Sequence, residues 1–187
     1  MRVFIDEHPE NINLAEALSS VSMQRRNHAL HYRQEHDRRL SLSAYVLLQK
    51  ALQQEFGILD PPIFNYSPQG KPLLRDYPDI HFSLSHCRQA TACVIDSQPV
   101  GIDIESIDAY REDIVDVTMN KKEQEMIATA PSCALAFIRL WTQKESLLKF
   151  TGQGMTDNLL EVLNTDIPHT FHTQENLSLG YVYTVCH

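Results

Sequence analysis

Apolar residues recur every three or four positions in three parts of the chain, which is the period of an α-helix. The first part covers about residues 38–56, and Gly57 is suited to end it. The other two cover residues 121–129 and 134–150, with Ser132 as a candidate N-cap. We therefore predict one long helix early in the chain and two helices later.

Strand-like segments lie between these helices. Residues 80–85 and 100–105 alternate between apolar and polar side chains, and residues 90–96 are small and apolar. Because the turn-forming residues 97–99 join the last two segments, we predict that these segments pair as an antiparallel hairpin. Further candidate strands are residues 63–66, 159–163, 169–172 and 180–185.

The predicted elements follow the same order twice, helix first and strands afterwards. The second series begins near Pro99, and no low-complexity segment or flexible linker separates it from the first. We therefore predict two halves, residues 1–98 and 99–187, that are packed together. Each half has roughly 95 residues, which is too few to bury a good core alone.

Composition and charge narrow the possible classes of protein. The chain has 187 residues, 43% of them hydrophobic and 21% charged, which is typical of globular proteins. A formal net charge of -8 disfavours a nucleic-acid partner. The apolar runs are much shorter than the ~18 residues of a membrane span, and the first residues do not form a signal-peptide core. The four cysteines form no C-x-x-C pair, so we expect reduced thiols in a cytoplasmic protein with no membrane partner.

Two carboxylates stand one residue apart in the predicted strand of residues 100–105. Side chains alternate between the faces of a strand, so Asp103 and Glu105 share one face while Ile102 and Ile104 point into the core. Neighbouring carboxylates repel unless a cation or a proton lies between them. The segment is therefore either a solvated acidic edge strand or part of a cation site.

A third carboxylate lies in the predicted helix of residues 134–150. Trp141, Glu145 and Lys149 are spaced four residues apart and form one stripe, which Lys144 flanks. Glu145 and Lys149 are either an ordinary exposed helix pair or part of a functional site. Together with Asp103 and Glu105, Glu145 supplies the oxygen ligands that Mg²⁺ prefers.

Basic groups precede these carboxylates in the chain. Lys71 follows a glycine and precedes Pro72, and a lysine on such a turn is a suitable phosphate contact. Ser85 and His86 add short donors at a strand end. Arg33, Arg38 and Arg39 form a basic cluster, which is either a solvated helix face or part of the same anion site.

These motifs, in this order, resemble those of the 4'-phosphopantetheinyl transferases. The family signature is G-[IV]-D followed by W-x-x-K-E-[SA]-x-x-K, and here it stands as Gly101-Ile102-Asp103 and as residues 141–149, WTQKESLLK. Gly70-Lys71-Pro72 and Ser85-His86 are similar to elements of the longer, surfactin-synthetase type. The resemblance covers about residues 32–154.

The resemblance implies a fold, a ligand and residue roles. The fold is an α+β pseudo-dimer of two similar halves, the first binding the nucleotide of coenzyme A and the second carrying the metal and catalytic groups. Mg²⁺ is held by Asp103, Glu105 and Glu145, and the catalytic groups are Glu145, Lys149 and Asp103. The implied coenzyme A contacts are Arg39, Lys71, Pro72, Ser85, His86 and Lys144.

The implied reaction moves the 4'-phosphopantetheine group of coenzyme A, a co-substrate, to a serine of an acyl or peptidyl carrier protein. The alternatives are a binding module of the same fold that holds coenzyme A or a carrier protein, and a metal-dependent hydrolase of phosphate esters. We expect a monomer, because a chain with both halves can form the site between them internally.

Overall fold

The computed structural model describes residues 1–154 and 158–187, and within them antiparallel sheets pack against long helices. The fold is therefore α+β, as predicted. The strands are β1 (Arg2–Asp6), β2 (Phe64–Tyr66), β3 (Pro72–Leu74), β4 (His81–His86), β5 (Thr91–Asp96), β6 (Gly101–Ser106), β7 (Phe171–Asn176) and β8 (Tyr181–Cys186). The helices are α1 (Leu14–Ser20), α2 (Met23–Leu30), α3 (Glu35–Phe56), α4 (Val115–Thr118), α5 (Lys121–Thr129) and α6 (Cys133–Thr151).

The three helices predicted from apolar periodicity are confirmed as α3, α5 and α6. Gly57 ends α3 with a φ of 68°, in the left-handed region that glycine tolerates. The hydroxyl of Ser132 accepts a hydrogen bond from the backbone N–H of Leu135 and caps α6, as expected. The short helices α1 and α2 were not anticipated.

The predicted hairpin of residues 90–96 and 100–105 is wrong. β5 is the central strand of its sheet, since β1 and β4 occupy both of its edges, and β6 pairs with β8 in another sheet. The turn at residues 97–99 thus connects two sheets. Residues 159–163, predicted as strand-like, contain a 3-10 helix at Leu159–Glu161.

The two larger sheets repeat one topology. Their strand orders are β1-β5-β4 and β6-β8-β7, so in each sheet the last strand in sequence lies between the first and the second. The long helix α3 packs against β5, and α6 packs against β6 and β8 in the same way. This repetition agrees with two similar halves, and the boundary at residues 98 and 99 stays a prediction.

A close helix–strand contact positions the second half. A Cβ built on Gly101 would lie 2.0 Å from the carbonyl oxygen of Ser146 and 2.4 Å from the backbone nitrogen of Phe150. Only glycine allows α6 to approach β6 so closely. Ile102 and Ile104 are fully buried, as their alternation predicted, in an apolar cluster with residues of β5 and β8.

The two sheets meet where β4 approaches β6. The Ser83 hydroxyl accepts a hydrogen bond of 3.1 Å from the backbone N–H of Ile102, which joins the halves at this junction. Across residues 1–154 and 158–187, no helix combines the length and the apolar character needed to cross a membrane.

Candidate active site

A cleft of about 490 Å³ lies where β4, β6 and α6 meet. Its lining includes Ser85 and His86 from the end of β4, and the carboxylates Asp103 and Glu105 from β6. The stripe predicted on α6 also faces it, through Trp141, Glu145 and Lys149. The cleft therefore combines the acidic groups of the second half with donors of the first, as a site between the halves requires.

Asp103 and Lys149 form the ionic centre of the cleft. Lys149 Nζ lies 2.6 Å from Asp103 Oδ1 and 3.0 Å from Ser85 Oγ. The Ser85 hydroxyl donates to the same carboxylate oxygen at 2.8 Å. Three side chains from β4, β6 and α6 thus hold one another in place.

The carboxylates of this site are largely removed from water. Asp103 is only 3% exposed, so the alternative of a solvated acidic strand is wrong for this residue. Burial, together with the neighbouring Asp103 and Glu145, raises the pKa of Glu105 to about 7. Burial also raises the pKa of Glu145, and the Asp103 carboxylate adds to that effect. Such a cluster is stabilised by added positive charge.

Two oxygens in the cluster are suited to a cation. Asp103 Oδ2 and Glu145 Oε1 are buried and lack a hydrogen-bond partner among the described residues. Unpartnered buried carboxylate oxygens are costly unless a donor or a metal ion binds them, and Mg²⁺ prefers this type of ligand. Within residues 1–154 and 158–187, no three acidic, histidine or cysteine side chains are arranged as a metal site. The unpartnered carboxylate oxygens have the chemistry that Mg²⁺ prefers, and their side chains would have to adjust to bind it.

The lining of the cleft also includes basic side chains. Arg25 and His28, one helical turn apart on α2, line it beside His86. Arg25 donates to the Ser41 hydroxyl at 2.6 Å and also to the Ser41 carbonyl, and its Nε is buried without a described partner. Sequence reasoning missed Arg25 and His28, although their i, i+3 spacing on a polar helix was a usable signal.

Arg39 requires a correction, because the structure does not bring it to the cleft. Two of its nitrogens donate to the Glu35 carboxylate, at 2.8 and 3.1 Å. A third donates to the carbonyl of Ile12 at 2.7 Å. The side chain thus fastens the segment before α1 to α3, and its predicted contact with coenzyme A is not supported by this position.

Lys144 requires the same correction. It is fully buried, and its ammonium donates to the Glu123 carboxylate at 2.7 Å and to the carbonyls of Thr118 and Leu159 at 2.9 and 2.7 Å. All three N–H donors are therefore used within the second half. Lys144 holds the ends of α4 and α5 against α6, and it is not available to a ligand in the cleft.

Lys71 and Pro72 lie at the border between the halves. Pro72 lines the main cleft and also a neighbouring cavity of about 220 Å³, which Lys71 lines together with Glu145 and Lys149. The Lys71 ammonium donates to the carbonyls of Phe150 and Val100, at 3.1 and 3.4 Å. Burial lowers the pKa of Lys71. Of the predicted nucleotide contacts, the structure thus gathers Pro72, Ser85 and His86 in the cleft.

Comparison with known proteins identifies relatives of this chain. A family model described as the 4'-phosphopantetheinyl transferase superfamily matches residues 99–185, the segment with the acidic residues and Lys149. The chain is 31% identical to a 4'-phosphopantetheinyl transferase of Bacillus subtilis over 143 residues, which are 74% of this chain and 63% of that protein. It is 34% identical to the transferase gsp of Aneurinibacillus migulanus over 154 residues, 81% of this chain and 62% of the relative.

The match thus spans about three fifths of the length of these relatives. The alignments are longer than the segment that the family model matches, so they extend beyond residues 99–185. Of the signature residues, Asp103, Trp141, Glu145 and Lys149 line one cleft, whereas Lys144 does not. The chain is therefore similar to 4'-phosphopantetheinyl transferases over about three quarters of its length, and its residues 99–185 match the model of that superfamily.

Proposed function

We propose that this protein transfers the 4'-phosphopantetheine group of coenzyme A to a serine of an acyl or peptidyl carrier protein. The observation that carries the proposal is a single cleft that is lined by three carboxylates and also by basic groups from β4, α2 and α6. A ligand with a pyrophosphate and a separate phosphate matches this distribution of charge. Similarity to 4'-phosphopantetheinyl transferases supports the same reaction.

The reacting atoms are few. The carrier serine oxygen forms a bond to the β-phosphorus of coenzyme A, the bond from that phosphorus to the bridging oxygen breaks, and 3',5'-adenosine bisphosphate leaves. Glu145 is the candidate base for the serine proton, because it is a carboxylate in the lining of the cleft beside Lys149. Lys149 offsets the charge that develops on the phosphate oxygens.

Asp103 orients Lys149 through their 2.6 Å contact. Asp103, Glu105 and Glu145 would hold Mg²⁺, which would neutralise the pyrophosphate charge. The unpartnered oxygens of Asp103 and Glu145 support this assignment. The same oxygens favour an enzyme over a binding module, because a module that only holds a ligand does not need these buried charges.

Arg25, His28 and His86 are the candidate partners of the nucleotide and its 3'-phosphate. Ser85, the neighbour of His86 in β4, is hydrogen-bonded to Asp103 and Lys149. Arg25 replaces Arg39 in this role, because the Arg39 guanidinium is bound to Glu35 and Ile12.

We further infer a monomer that works in the cytoplasm. The cleft takes side chains from both sheets of one chain, so a second copy is not needed to complete it. All four cysteines are free thiols, which suits a reducing compartment. Light scattering at micromolar concentration tests the first point, and a stable trimer that loses activity on dissociation contradicts it.

One assay tests the function. The protein is incubated with coenzyme A, Mg²⁺ and a panel of purified apo carrier proteins from fatty-acid, polyketide and peptide synthesis, and each carrier is weighed by mass spectrometry. We expect at least one carrier to gain one phosphopantetheine group. Binding of coenzyme A with no gain on any carrier indicates a binding module, and loss of coenzyme A without a carrier indicates a hydrolase.

A further inference from the structure

The turn at residues 67–71 is tightly organised before it meets the second half. The Ser67 backbone N–H donates to the Lys71 carbonyl at 2.9 Å, and the Gly70 N–H donates to the Ser67 carbonyl at 2.9 Å. The Ser67 hydroxyl accepts from the Lys71 N–H at 3.0 Å. These hydrogen bonds fix the backbone of Lys71, so its side chain extends towards the second half from a well-defined turn.

The Lys71 side chain then packs against the end of α6. Its Cδ lies 3.1 Å from the place where a Cβ on Gly152 would stand, and Gly152 has a φ of 71°. Gly154 is equally close to this turn, because a Cβ on it would lie 3.0 Å from the carbonyl oxygen of Gln69. The two glycines thus allow the turn to sit directly on the end of the helix.

The ammonium of Lys71 joins the two elements that carry the ionic centre of the cleft. Phe150, whose carbonyl accepts from Lys71 Nζ at 3.1 Å, directly follows Lys149. Val100, whose carbonyl lies 3.4 Å from the same nitrogen, directly precedes β6 and its Asp103. A cation at the C-terminal end of a helix is also favoured by the helix dipole.

We propose that Lys71 is a positioning residue, which fixes the end of α6 against the start of β6 so that Lys149 stays in register with Asp103. The inference rests on the proposed function, in which Lys149 faces the transferred phosphate. It replaces the predicted contact of Lys71 with coenzyme A. Displacing an oriented catalytic group by 1 Å lowers the reaction rate by about 100-fold.

Lys71→Met tests this role, because it keeps most of the stem and removes the ammonium. We expect kcat for carrier modification to fall by about 10- to 100-fold. The KM and the calorimetric Kd for coenzyme A should change by less than about twofold. Lys50→Met, which removes an exposed lysine from α3, is the matched control and should behave like wild type.

A double-variant cycle separates positioning from a general structural effect. In a Lys149→Met background, Lys71→Met should cost less than about threefold, because the group that Lys71 positions is already gone. Equal losses in both backgrounds, or weaker coenzyme A binding with unchanged kcat, overturn the proposal. If Lys71→Met does not fold by circular dichroism, Lys71→Gln is judged by the same criteria.

A second readout does not depend on transfer. Hydrogen exchange of the last-turn amides of α6 should be faster in Lys71→Met than in Lys50→Met, at equal coenzyme A affinity. Unchanged exchange contradicts the proposal. Failure of the wild-type protein to modify any carrier overturns the proposed function instead, and this exchange result then still shows whether Lys71 holds α6.

Discussion

The two halves share a scaffold and differ in the chemistry placed on it. In the first, the buried Ser43 hydroxyl of α3 lies 3.1 Å from the Thr91 hydroxyl of the central strand β5. In the second, Thr142 of α6 and Thr184 of the central strand β8 form the equivalent pair at 2.8 Å. Neither pair needs a ligand, and in the first half the Ser43 hydroxyl also donates to the Asp6 carboxylate at 2.9 Å.

Charge on the cleft face separates the halves. The second half has buried Asp103 on its first strand and Glu145 and Lys149 on its long helix, whereas α3 presents Ser41 and Ala44 to the cleft. Each unit has an apolar cluster of its own, and a further apolar cluster of residues from β5, β6 and β8 joins the two. The predictions below remove parts of this difference.

The largest expected effect follows loss of a buried carboxylate in the second half. Asp103→Ala removes the partner of Lys149, and Glu145→Ala removes the proposed base, so each should lower kcat by at least about 100- to 1,000-fold. Carrier mass gain and circular dichroism measure transfer and folding. Ser43→Ala, a buried polar change in the first half, should retain transfer. Normal turnover by a folded Asp103→Ala or Glu145→Ala protein contradicts the assignment.

The buried Lys144 and Glu123 pair tests whether the second half also depends on charge for stability. Lys144→Met leaves the Glu123 carboxylate buried without its cation, and should reduce the free energy of unfolding by about 3–5 kcal/mol. Adding Glu123→Gln removes the stranded charge and should recover much of that loss in urea titrations. A double variant no more stable than the single one would show that the carbonyl contacts of Lys144 matter more.

Substitution of two glycines, one in each half, compares how closely the long helices are packed. Gly101→Ala forces a methyl group into the backbone of α6 and should cost about 3 kcal/mol, with a loss of transfer because α6 carries Lys149. Gly57→Ala, at the end of α3, meets no described atom within 4 Å and should cost only the left-handed strain of about 1 kcal/mol. Equal destabilisation of both variants contradicts this account of the β6–α6 contact.

The smallest expected effect is a change in the KM for coenzyme A after substitution of Arg25. Arg25→Gln should raise the KM for coenzyme A about tenfold with little change in kcat, because a charged hydrogen bond is lost. Arg39→Ala should leave this KM within about twofold, since Arg39 contacts Glu35 and Ile12. A separate test concerns His86 and the 3'-phosphate of coenzyme A. If His86 contacts this phosphate, the His86→Ala variant should discriminate less than wild type between coenzyme A and dephospho-coenzyme A. Undiminished discrimination excludes a contact between His86 and the 3'-phosphate.

The sequence by itself was sufficient for features that depend on near neighbours in the chain. Helices α5 and α6 followed from apolar periodicity and from the Ser132 cap, because helical hydrogen bonds join residues four apart. The common face of Asp103 and Glu105 followed from strand alternation, and the stripe of Glu145 and Lys149 from the helical repeat. The resemblance to a family then indicated that these groups belong to one site.

Only the tertiary structure decided which distant groups meet. β5 and β6 were predicted to form a hairpin because they are adjacent in sequence. In the structure, β1 and β4 occupy both edges of β5, and β6 pairs with β8. The same limit applies to long cationic side chains, whose partners are chosen by packing. Lys144 lies in a sequence motif and Arg39 in a basic cluster, and both positions suggested ligand contacts. In the structure, Lys144 forms an ion pair with Glu123, and Arg39 forms one with Glu35. Arg25 lay outside every motif and reached the cleft because α2 packs beside α3.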